Sequence, residues 1–115
     1  MTIKRHQPGQ RLSQAAEYGN LVFLAGIVAD DGALDVKGQT KQIVDKIDKL
    51  LAAAGSNKSK ILSAQIWVAD IRYYADMNSV WDPWIDPANP PARACIESRL
   101  ANPAFKVEIM CVAAK

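Results

Sequence analysis

Cysteine and histidine are scarce in this chain, with two Cys and one His among 115 residues. Cys95 and Cys111 are too few for a disulfide framework. Both fall in strand-like apolar runs, where a free thiol serves as a small apolar side chain. His6 stands near the start with no His, Cys or carboxylate at metal-ligand spacing, so no metal site is expected and His6 reads as a surface residue. An excess of one charge is missing too: 14 basic and 12 acidic residues leave a net +2. The charges are interspersed, with no Lys/Arg block interleaved with aromatics, so electrostatics makes no case for a nucleic-acid partner. No apolar run reaches the length of a membrane span, and MTIKRHQPGQ lacks the apolar centre of a signal peptide. No membrane partner is therefore expected, and the cytoplasm is the expected location. Internal repeats and low-complexity stretches are absent as well.

What is present is the material for a core. Half of the residues are hydrophobic, which suits a single domain over residues 1–115 rather than two domains or a disordered chain. Thr2 to His6 reads as a short edge strand and Pro8-Gly9 as a turn. Leu12 to Tyr18 is extended, and Gly19-Asn20 separates it from the apolar run Leu21 to Ala25, the pattern of a hairpin. Gly26 interrupts that run. A glycine inside a strand pattern marks an ordinary bulge or a close approach to backbone, as at a pocket wall. Asp30, Asp31 and Gly32 read as a solvated loop.

Gln39 to Ala54 is the clearest helix, with Ile43, Ile47, Leu50, Leu51 and Ala54 in one stripe. Asp45 and Lys49 stand one turn apart as a favourable pair, and Gly55 is the stop. Lys60 to Ala69 is a long strand. Leu62, Ala64, Ile66 and Val68 share one face; Ile61, Ser63, Gln65 and Trp67 share the other, mixed enough to face a partner or a pocket. Asp70 reads as the N-cap of a second helix with Met77, Val80, Trp81 and Trp84 as its stripe. Pro83 should end or kink that helix near Trp81 or Asp82 and place Trp84 on the connection. Strand–strand–helix–strand–helix–strand–strand is an α+β order, with two helices on one face of a mixed sheet.

The chemistry gathers between Pro90 and Glu108, PPARACIESRLANPAFKVE. Ala92 to Ser98 reads as a strand with Arg93, Cys95 and Glu97 on one face, and Lys106 to Ala113 as the last strand. That last strand is apolar on both faces apart from Glu108, which suggests a central strand covered on both sides. A carboxylate there needs a partner or a proton, and Arg93 is the candidate if the two strands are neighbours. Two readings stand side by side. One is a structural ion pair, or a Glu that reaches solvent at the strand end. The other is a pocket in which Arg93 holds an anion and Glu108 moves a proton.

PPARACIE, followed by a strand carrying VEI, resembles the C-terminal signature of the Rid family of reactive-intermediate deaminases, also known as the YjgF or L-PSP family. GNLVFLAG near the start and DIRYYADMNSVW in the middle appear in the family's order and at about its spacing, so the resemblance runs through nearly the whole chain. It implies a chorismate-mutase-like α+β fold that assembles as a homotrimer, with sheets facing inward and pockets in the clefts between subunits. Leftover apolar sheet surface fits such an assembly. Rid proteins hydrolyse 2-imino and enamine acids to 2-keto acids and ammonia, so the implied partner is a small imino or keto acid. The reaction calls for a fork to hold a carboxylate and a group to orient water and accept its proton, with no metal and no organic cofactor.

By resemblance, Arg93 binds the carboxylate and Glu108 orients the water and transfers the proton. Gly26 lies beside the pocket, and Cys95 lines it through its backbone carbonyl rather than its thiol. Family members with established deaminase activity carry Tyr, Ser and Gln at the places of Leu12, Ala25 and Ile27, and the Tyr and Ser contact substrate. Here all three are apolar, which points Leu12 and Ala25 toward a more apolar substrate or a weaker activity. Two other functions stay open. A non-catalytic protein binding 2-keto acids in the same pocket is one, favoured by the lost polar contacts. A ribonuclease or translation inhibitor is the other, disfavoured by the near-neutral charge.

Overall fold

In the computed structural model, which describes all residues from Met1 to Lys115, Val36–Ala53 forms helix α1 because an apolar stripe and two end signals agree. Asp35 caps its N-terminus, accepting from the Gly38 N–H at 2.8 Å. At the other end Gly55 takes φ +77°. The Ser56 N–H reaches the Leu51 carbonyl and the Gly55 N–H reaches that of Ala52, the bond pair a left-handed glycine closes. Ile43, Ile47, Leu50, Leu51 and Ala54 are all buried, as the stripe predicts. The helix starts ahead of Gln39 because polar Gln39 and Thr40 also face inward. The Gln39 amide donates to the Gly32, Leu34 and Ala104 carbonyls, and its oxygen accepts from the Lys106 N–H. A satisfied polar side chain in the core breaks the apolar period while tying the helix to the segment before the last strand. Asp45 pairs back to Lys41, at 2.8 Å, instead of forward to Lys49.

The strands are β1 (Lys4–His6), β2 (Ala15–Tyr18), β3 (Leu21–Leu24), β4 (Ile61–Val68), β5 (Ala92–Glu97) and β6 (Val107–Ala114). They make one six-stranded sheet in the order β1-β2-β3-β6-β4-β5. Every pair is antiparallel except β4 with β5. Helix α1 joins β3 to β4, and helix α2 (Tyr74–Trp84) joins β4 to β5. Their stripes pack on one sheet face against Val22, Leu24, Ile27, Ala64, Ile66, Val68, Val107 and Ile109, giving the expected α+β layers. Strand β6 is central, as its apolar faces suggest, yet only one face is covered. Val107, Ile109, Cys111 and Ala113 are buried, while Glu108, Met110 and Val112 keep partial exposure. No helix is long and apolar enough to cross a membrane.

Local differences have local causes. A register shift between Ile61 and Ser63 turns Leu62 outward and puts Ile61 in the core with Ala64, Ile66 and Val68. Leu12 precedes β2 and lies in its approach loop. Asp70 caps a single 3-10 turn, Ile71–Tyr73, and α2 begins at Tyr74. Pro83 does not end α2 before Trp84. It lacks only its own N–H in the last turn, and the Ile85 N–H still reaches the Trp81 carbonyl at 2.9 Å. Trp84 is thus helical and buried, its indole N–H donating to Asp48 of α1 at 3.0 Å.

His6 is not a surface side chain. It hydrogen-bonds Glu17 on the adjacent strand, and Lys115 Nζ meets the other Glu17 oxygen at 2.7 Å. These partners, Lys115 first and then His6, hold the buried Glu17 carboxyl down to about 2 from an ordinary 4.5. A depressed carboxylate stabilises the fold above its unfolded value and loses that contribution as pH falls through the folded one. Stability in thermal melts is therefore expected to fall from about pH 5 toward about pH 2, and Glu17→Gln to flatten that limb. An unaltered limb in the variant would assign the acid loss to other carboxylates.

Candidate functional site

Strand β5 carries Arg93 and Cys95 on the helix side of the sheet. The register aligns Arg93 with Ala64 of β4 and, one strand further, with Cys111 of β6, both buried under the helices. The guanidinium lies against two aromatic rings of α2, its Cζ 5.7 Å from the Tyr74 centroid and 5.4 Å from that of Trp81. Nη1 donates to Asn78 Oδ1 at 2.8 Å, and Nη2 donates to the Tyr74 hydroxyl at 2.9 Å. Both acceptors are neutral. No carboxylate stands within ion-pair distance of Arg93, so its charge is uncompensated.

Cys95 packs against the core beside Ile66, and burial pushes its thiol up, which keeps it a poor nucleophile. Its backbone does something else. The Ser98 N–H bonds the Val68 carbonyl at 3.0 Å. Alternate residues of a parallel strand face the same neighbour, so Ile96 and Ala94 turn to β4. The Cys95 N–H and carbonyl are left on the open edge of the sheet.

Glu108 sits elsewhere. It stands opposite Trp67 of β4 and, across β4, in line with Ile96, on the face away from the helices. No cation lies within ion-pair distance of it. Gly26 is its seat: a β-carbon there would fall 2.1 Å from Glu108 Oε2 and 3.0 Å from Cδ. Between the pairs Phe23 with Val112 and Ile27 with Ile109, the three residues Leu24 to Gly26 oppose only Met110 and Cys111. Gly26 therefore belongs to a bulge, and its missing β-carbon leaves the room that the Glu108 carboxylate occupies.

The intrachain pair of Arg93 with Glu108 does not form. Strand β4 runs between β5 and β6, and the two side chains leave opposite faces of the sheet. Two strand spacings across and three residues along put their backbones roughly 14 Å apart. Leu12 is half exposed in the connection between β1 and β2, at the sheet edge farthest from β5. Ala25 adjoins Gly26 and is partly buried, its N–H bonded to the Gln14 carbonyl at 2.9 Å. Ile27 is 1% exposed and pairs with Ile109 under the helices, so its apolar character serves the core. The predicted residues thus fall into separate groups: Glu108 with Gly26 on the open face, Ala25 next in chain and packed against the core, Arg93 and Cys95 at the β5 edge, and Leu12 at the opposite edge.

Tyr74 and Asn78, which hold Arg93, were not legible as site residues from strand patterns. Their signal is helical: Tyr74, Asn78 and Trp81 recur at i, i+4 and i+7 on α2.

Comparison with known proteins gives the family and the fold. Residues 2–115 match the family described as Endoribonuclease L-PSP. A RutC family protein of Haemophilus influenzae is 46% identical over 98% of both chains. The RutC family protein YoaB of Escherichia coli is 39% identical over 99% of both. The solved structure of a YjgF family member from Neisseria meningitidis, 41% identical, superposes with TM-score 0.97 over 100% of this chain and 96% of the other. An uncharacterised Pseudomonas aeruginosa protein, 39% identical, also gives 0.97 over 99% of both. The C-terminal motif, the layered fold and full-length similarity converge: the chain belongs to the YjgF/RutC family, the family of Endoribonuclease L-PSP.

Proposed function

We propose that this chain hydrolyses small 2-imino and enamine acids to 2-keto acids and ammonia, in a pocket completed by a second copy of itself. The observation that carries this reading is that Arg93 and Glu108 each lack a counter-charge yet stand on opposite faces of one chain. A structural ion pair would have neutralised them. An anion site and a proton-transfer site leave both charges available. The open sheet face around Glu108 exposes Leu21, Phe23, Leu62 and Ile96, an apolar surface suited to another subunit. Packing that face against the β5 edge of a neighbour would bring Glu108 of one copy to Arg93 of the next, and a closed ring of three repeats the contact.

In such a pocket the substrate carboxylate accepts from the free N–H groups of Arg93. Glu108 takes a proton from water as the water oxygen bonds to the imine carbon and the C=N electron pair moves to nitrogen. Returning that proton to nitrogen gives an amino alcohol; Glu108 then takes the hydroxyl proton and passes it to the amino nitrogen, so the C–N bond breaks as ammonia leaves and the C=O forms. The Cys95 carbonyl, on the open edge, can accept a hydrogen bond from the attacking water. This chemistry uses two side chains, one backbone carbonyl and water.

The test is keto-acid release from imines made in situ by an amino-acid oxidase, over small and bulky side chains. Acceleration by the protein is expected. Binding of 2-keto acids with no acceleration for any imine would replace the enzyme by a binding protein, and cleavage of RNA at moderate salt would replace it by a nuclease.

A further inference from the structure

The groups that hold Arg93 carry a second message, which rests on the anion-site reading above. A half-buried guanidinium is most simply held by a carboxylate, but here both acceptors are uncharged. Asn78 uses its oxygen on Arg93, which leaves its amide N–H groups as donors. Tyr74 accepts from Arg93 with its hydroxyl oxygen, which leaves the hydroxyl hydrogen to donate. Each group left over beside the guanidinium is thus a donor.

We propose that Asn78 and Tyr74 set the specificity of this site. Asn78 is a positioning residue that fixes the Arg93 fork without neutralising it. Tyr74 adds its hydroxyl hydrogen as a further donor to the same ligand oxygen pair. The cradle accordingly selects an ionised carboxylate, whose two charged oxygens both accept, over the ester, which loses the charge and blocks one oxygen, or the amide, which puts N–H donors against donors. The ring faces of Tyr74 and Trp81 keep the guanidinium plane in place while the ligand exchanges.

Asn78→Asp separates this role from a structural one, because the two roles move in opposite directions. A carboxylate at 78 forms an ion pair with Arg93, so the variant should melt at the same temperature as wild type or higher. The same carboxylate neutralises the fork, so pyruvate binding measured by titration calorimetry should weaken about 100-fold. Tyr74→Phe keeps the ring and should weaken pyruvate about 10-fold while leaving the already weak binding of pyruvamide unchanged. Wild-type affinity for pyruvate in Asn78→Asp, or an equal loss for pyruvate and pyruvamide in Tyr74→Phe, overturns the proposal and leaves the hydrolase reading standing. Should Asn78→Asp not fold, the pyruvate-against-pyruvamide split in Tyr74→Phe decides alone. A wild-type protein that binds no pyruvate overturns the anion site itself, and this inference with it.

Discussion

Gly26→Ala is expected to slow imine hydrolysis about 100-fold while leaving the fold almost as stable as wild type. The added β-carbon would stand 2.1 Å from Glu108 Oε2 and 3.0 Å from Cδ, so the carboxylate has to move. These atoms are the end of a flexible side chain on a partly exposed face, so moving them costs the fold little, about 1 kcal/mol or less. Gly26 is not in the left-handed region of backbone space, so the variant adds no backbone strain. The reaction is less tolerant, because a proton acceptor displaced by about an ångström no longer meets the attacking water. Turnover and melting temperature measured together check this. An unaltered rate would remove Glu108 in its present seat from the chemistry.

Arg93→Ala should lower kcat/KM by about 10³-fold, the loss expected when charge-assisted bonds to a carboxylate disappear. Arg93→Lys should recover only part of that, since Lys keeps the charge but not the planar fork stacked on Tyr74 and Trp81. Stability separates the competing accounts. If Arg93 served a buried ion pair, its removal would cost about 3–5 kcal/mol. Held as it is by Asn78, Tyr74 and ring faces, it should cost about 1 kcal/mol. Urea denaturation of the variant beside its kinetics measures both quantities.

Much of the fold was legible in the sequence because local signals agreed with tertiary need. The stripe from Ile43 to Ala54, the Gly55 stop, the Gly19-Asn20 hairpin and the central place of β6 in the sheet all recur in the structure. The misreadings share a cause: a residue doing something tertiary that its period does not report. Leu62 turns out at a bulge, Gln39 turns in to bind four backbone groups, and His6 turns in to meet Glu17.

The candidate site was legible in part: Arg93 and Glu108 stood out by residue type and strand position, while the pocket places of Cys95 and Gly26 came from the family resemblance. Strand order was not legible, and order decides that β4 separates Arg93 from Glu108 and that they face opposite ways. A period of two assigns faces within one strand and says nothing about the next strand until the register is known. Tyr74 and Asn78 escaped because the attention of a strand pattern stops at the strand, while their contact with Arg93 crosses from helix to sheet.

The central claim is that Arg93 of one copy works with Glu108 of another. Mixing Arg93→Ala and Glu108→Gln chains, unfolded together and refolded, tests it most directly. Each variant alone is expected to be nearly inactive. In a closed ring assembled at random from equal amounts, about a quarter of the interfaces receive an intact Arg93 from one chain and an intact Glu108 from the next. The mixture should therefore regain about a quarter of the wild-type rate. A mixture as inactive as its two components, with refolding and assembly confirmed, would contradict a site shared between copies.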